Sequence, residues 1–111
     1  MAISGSKNPF MASVSVTGAA ASLYSYLSVQ RPDLPHKCCY LQIQLATSAG
    51  GVTLSYGNAD VVAAGTQCGG TLSAGQLGQI FAFDSNLMDL DNFYVVAGSG
   101  TVQLNCTVVV R

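Results

Sequence analysis

Oxygen ligands are concentrated in one stretch of this chain, where Asp84, Asn86, Asp89, Asp91 and Asn92 follow one another closely. Such a cluster is what a calcium ion would need, since it takes about six to eight oxygens. The order is not that of a helix–loop–helix calcium loop. Counting from Asp84, Met88 is fifth and Asp89 sixth, and the sixth position requires glycine. Asx residues at this density read first as turn formers. Asp84, Asn86, Asp89 and Asp91 therefore stand only as weak metal candidates. Paired carboxylates for glycosidic cleavage have nothing around them that resembles an acid–base site.

The nucleophiles fare no better. His36 is the sole histidine, beside Lys37 in a proline-bounded linker, and no G-x-S-x-G turn is present. It reads as a surface or interface residue. Of the four cysteines, Cys38 and Cys39 are adjacent, so in one strand they point to opposite faces and cannot share a tetrahedral metal. There is no C-x₂-C pair, and zinc is not expected. Cys39 and Cys106 fall on apolar faces and read as small buried hydrophobes. A Cys39–Cys106 disulfide is open if their strands are neighbours, but assembly in a cytosol argues against it. Cys38 and Cys68 are expected to be partly exposed. The sequon Asn105-Cys106-Thr107 lies mid-strand and reads as chance. Tyr24, Tyr26, Tyr40, Tyr56 and Tyr94 could build a sugar platform, yet packing explains them more simply. No catalytic residue and no cofactor is expected.

The elements that position these residues are strands. Residues 1–11 read as an extended N-terminal arm, held only by a partner, and 12–111 as one domain. Met11 to Thr17 alternates, with Ala12, Val14 and Val16 on one face. Ser22 to Val29 is the only helical segment, with Ser22 as N-cap and a stop before Arg31-Pro32. Cys38 to Ala46 alternates most cleanly: Cys39, Leu41, Ile43 and Leu45 oppose Cys38, Tyr40, Gln42 and Gln44. Thr47 to Gly51 reads as a hairpin loop leading to Val52, Leu54 and Tyr56 on the inward face. Residues 57–76 read as loops, with a short strand near Val61-Val62. After the turn Ser73-Ala74-Gly75 comes a strand from Gln76 to Phe83, with Leu77, Phe81 and Phe83 inward. Asp84 to Asn92 is a loop with a 3₁₀ turn. Phe93 to Ala97 and Thr101 to Val110 read as a hairpin across Gly98-Ser99-Gly100. In that last strand Val102, Leu104, Cys106, Val108 and Val110 share a face. This is the pattern of an all-β domain, a single antiparallel β-sandwich or jelly roll with one short helix.

Composition adds a constraint. Only 8% of the 111 residues are charged, against roughly 25% in ordinary soluble domains. From Cys38 to Phe83 the sole formal charge is Asp60. A free monomer usually carries charge on its surface for solubility. Interfaces, by contrast, are depleted in it. Asn8, Pro9 and Phe10 of the arm, with Gln42, Gln44, Gln103 and Asn105 on the strands, are the interface candidates. A net charge of −1 with scattered basic residues argues against nucleic acid. No secretory leader or membrane span is expected.

From about Ala20 the chain resembles small virion structural proteins of tailed bacteriophages. The likeness is carried by Ser22-Leu23-Tyr24, Cys39-Tyr40-Leu41-Gln42-Ile43-Gln44, Leu54-Ser55-Tyr56-Gly57-Asn58, Leu72-Ser73-Ala74-Gly75, and Ser85-Asn86-Leu87 through Leu90 to Phe93-Tyr94-Val95-Val96. The resemblance implies a non-enzymatic β-sandwich or jelly-roll subunit, often a trimer, assembled in the host cytoplasm and located on the virion. Its partner would be the major capsid protein or another virion protein. The leading expectation is a capsid decoration (cement) protein, with a tail or neck component as the alternative. A carbohydrate-binding module is the alternative of another class.

Overall fold

Alternation in the terminal strand sets the architecture, because every second side chain there is apolar and has to leave water. The computed structural model describes residues 10–62, 69–81 and 88–109. Its strands are β1 (Phe10–Val16), β2 (Ala21–Ser22), β3 (Lys37–Cys38), β4 (Tyr40–Leu45), β5 (Leu54–Gly57), β6 (Gly70–Leu72), β7 (Leu77–Phe81), β8 (Met88–Asp89), β9 (Tyr94–Ala97) and β10 (Val102–Val109). A helix, α1 (Leu23–Gln30), and 3₁₀ turns at Thr47–Ala49 and Leu90–Asn92 complete the described elements. The fold is an all-β sandwich. A front sheet of order β1-β10-β4-β7 faces a back sheet of order β2-β9-β5-β6, and β3 and β8 form a separate ribbon. Every pairing is antiparallel.

Seven connections join the eight sandwich strands in chain order, and all but the one between β5 and β6 change sheet. This is the path of a jelly roll. It corrects two expectations. Thr47 to Gly51 does not fold a hairpin, since β4 lies in the front sheet and β5 in the back. Gly98 to Gly100 likewise carries β9 of the back sheet over to β10 of the front. Neither loop has the Asn-Gly or Asp-Gly signal of a tight hairpin. Each instead uses a glycine in the left-handed region, Gly50 at φ 63° and Gly100 at φ 58°, to aim the chain across the core.

Leu23, Leu27, Leu41, Ile43, Leu45, Leu54, Leu90 and Leu104 are fully buried in one core cluster. Helix α1 closes the side where β1 and β2 meet. Ser22 caps it, its hydroxyl accepting from the Ser25 N–H at 3.2 Å. Ahead of Pro32, the Arg31 N–H donates to Leu27 O at 3.0 Å and ends it. Gln30 Nε2 donates to the Ser13 carbonyl at 2.8 Å, and the Arg31 guanidinium lies 5.3 Å from the Phe10 ring centre. The free edge of β1 is thus covered, which blunts strand-to-strand aggregation. Phe10 and Met11 already pair with Val108 and Thr107, so the first strand starts inside the stretch expected to be an arm. Residues 1–9 lie outside the described residues.

Three further readings are revised. Cys39 is a bend between β3, which turns aside to pair with β8, and β4 in the front sheet. The two-residue period slips there, so Cys38 rather than Cys39 is fully buried. Leu77 faces out, because its register partner is Gln44 on the solvent side, and Gly78 takes the inward position against Ile43. Among the described residues of the 57–76 region the short strand is Gly70–Leu72, and Val61-Val62 lie in none.

Candidate interaction surface

Antiparallel register determines which outward side chains of the front sheet are neighbours. One row runs Met11, Thr107, Gln42. The next runs Ser13, Asn105, Gln44, Leu77, and Ser15 faces Gln103 in the third. The four strands contain no Asp, Glu, Lys, Arg or His. Several of these side chains hold one another. The Ser13 hydroxyl donates to Asn105 Oδ1 at 2.6 Å, and Gln103 Nε2 donates to Ser15 Oγ at 2.7 Å. Tyr40 OH donates to Gln42 Oε1 at 2.9 Å, and Gln44 Nε2 to the Gly75 carbonyl at 3.1 Å. Bonds of this kind fix rotamers in advance, so docking on the face costs less side-chain entropy.

Charge gathers elsewhere, where the linker after α1 meets the 3₁₀ turn Leu90–Asn92. His36 stacks on Tyr24 with ring centres 4.2 Å apart, and its Nδ1 lies 2.6 Å from Asp91 Oδ2. The Leu90 N–H donates to the His36 carbonyl at 2.8 Å. Lys37 Nζ is 3.5 Å from Asp89 Oδ2, and Arg31 Nε is 3.4 Å from Asp33 Oδ1. The Asp91 N–H donates to Asp89 Oδ1 at 3.0 Å. That bond, with help from Lys37, holds the Asp89 carboxyl below its ordinary pKa. The cluster latches two segments far apart in sequence, and no local pattern announced it.

Of the expected metal candidates, Asp89 and Asp91 are engaged in this latch, while Asp84 and Asn86 lie outside the described residues. Among the described residues no three of His, Cys, Asp or Glu come together to hold an ion. Burial pushes the Cys38 thiol up to about 11 and that of Cys106 to about 12, so neither supplies thiolate at neutral pH. Cys38, Cys39 and Cys106 are all free thiols.

Of the interface candidates, Gln42, Gln44, Gln103 and Asn105 are brought together on one sheet face. Phe10 is not with them; it is partly buried and packed against the core. Asn8 and Pro9 lie outside the described residues. Alternation already put Met11 with Ser13 and Ser15 on the outer side of its strand, though not among the interface candidates, whereas Leu77 was expected to face inward. The outward turn of Leu77 depends on its register with β4.

No family model matches the chain, and no curated protein matches it. A solved structure from work on Bacillus endospore appendages, described as a novel family of disulfide-linked pili, aligns over 95% of this chain and 88% of its own. The identity is 13% and the TM-score 0.38, a likeness too slight to bear on function. No helix among the described residues is long and apolar enough to cross a membrane.

Proposed function

We propose that the chain is a non-enzymatic assembly subunit whose station is a phage head, where it acts as a capsid decoration protein. The observation that carries the assembly reading is the uncharged, hydrogen-bonded outer face of the front sheet. A surface without charge can be covered by a neighbour without stranding an ion in a dry contact, a cost of several kcal/mol per ion. The station on the head rests on the resemblance to small virion proteins. Within it, bound copies would span lattice junctions of the major capsid protein and add contact area there.

Co-sedimentation of the purified chain with undecorated heads tests this reading. Many copies should bind each particle, saturably, and the decorated heads should resist heat and low salt better than bare ones. Binding to tails with none to heads would move the station and leave the subunit role. A chain that stays monomeric and binds no particle would overturn both.

A further inference from the structure

Two large apolar side chains stand at opposite edges of the uncharged face. Met11 on β1 is 68% exposed and Leu77 on β7 is 51% exposed. The strand order puts three spacings between them, about 14 Å, and the registers put them in adjacent rows, about 7 Å apart along the strands. Only polar side chains separate them on the described part of the face.

We infer that this face docks on the same face of a second copy, about a two-fold axis parallel to the strands, so that Met11 of each copy meets Leu77 of the other. The inference rests on the assembly reading above and names its partner. A two-fold contact must be self-complementary, residue i meeting j and j meeting i. Turning a copy about an axis midway between β10 and β4 lays its β1 over the other's β7, and its β7 over the other's β1. Both apolar anchors then find a partner, across an offset of one row that a methionine can reach. An axis across the strands would bring only one anchor type onto itself. Self-docking also requires that the face not repel its copy, and these four strands carry no charge at all.

Size sets the strength. Four strands at about 4.8 Å spacing, averaging about 22 Å in length, project roughly 420 Å² per copy. With side-chain relief the pair buries on the order of 1,000 Å², the lower end for a specific contact. The dimer is therefore weak, forming at concentrations on the order of micromolar and above.

Light scattering of the full chain over a concentration series tests the pair. Wild type should pass from monomer to dimer mass. Met11→Lys and Leu77→Glu should each weaken association at least tenfold, with unchanged melting temperatures because both sites are exposed. The double variant M11K/L77E should regain dimer, since each lysine then meets the partner copy's glutamate. A trimer mass would overturn the inference, as would a dimer indifferent to both single variants or a double variant no better than either. In those cases head binding decides the assembly reading separately. Met11→Ser, with no new charge, guards against a folding defect and should weaken association less than Met11→Lys.

Discussion

His36 and Lys37 of the linker sit against Asp91 and Asp89 at the Leu90–Asn92 turn, and Arg31 pairs with Asp33 along the same linker, while the four strands of the front sheet carry no Asp, Glu, Lys, Arg or His. The two regions solve different problems. The charged end sits in water, where exposed ion pairs are each worth about 0–1 kcal/mol. It gives solubility and a local tie between distant segments. Apart from Met11 and Leu77, the neutral face offers solvent mainly hydroxyls and amides, and it leaves no charge to repel a copy.

The sharpest way to break that contrast is to damage each side of one strand. Ile43 is fully buried on β4, between Gln42 and Gln44 on the outer face. Ile43→Ala should cost about 2–5 kcal/mol in urea denaturation. Gln103→Ala on the outer face, which loses one exposed bond to Ser15, should cost about 0.5 kcal/mol or less. Comparable losses would mean that the outer face is a structural part of the core rather than a docking surface.

The charged end should respond to salt and the neutral face should not. His36→Ala removes both the Asp91 pair and the Tyr24 stack, and should cost about 1 kcal/mol or less. Any charged part of that contact should fade in 1 M sodium chloride, where charges are screened within about 3 Å. Self-association followed by light scattering in the same salt should hold or strengthen. An association that salt abolishes would place the contact at the charged end.

A smaller effect lies in acid. The folded state lowers the Asp89 pKa from 3.8, so that carboxylate stabilises the fold above this value, and the contribution is lost as pH falls through the lower folded one. Asp89→Asn should therefore melt slightly below wild type at pH 6, and the two curves should converge as the pH is taken below 3.8. A gap that persists in acid would assign the effect to packing instead of charge.

Local patterns made much of this fold legible. Alternation in β1, β4 and β10 named the inward residues correctly, and Ser22 and Pro32 marked the ends of α1. What a period of two cannot say is which sheet a strand joins, since an inward face is equally served by a neighbour beside it or across the core. Both misread hairpins have that origin. The bend at Cys39 and the outward Leu77 follow from pairing partners far along the chain, Met88 for Cys38 and Gln44 for Leu77. For the candidate surface, four glutamine and asparagine residues were legible because they alternate with core residues. Met11 was legible as outward by the same alternation, but Leu77 was not, because an exposed leucine looks like core until the register is known.

The position of β10 between β1 and β4 has a consequence in time. Residues 10–16 have no sheet partner until residues 102–109 exist, so the front sheet stays open until that strand has been made. Pairing so distant in sequence is also slow to form. A nascent chain on the ribosome can begin the β5–β6 hairpin, but it cannot present the finished neutral face. Products that stop short of β10 are thereby barred from joining copies that have it, and competence to assemble arrives only with that strand.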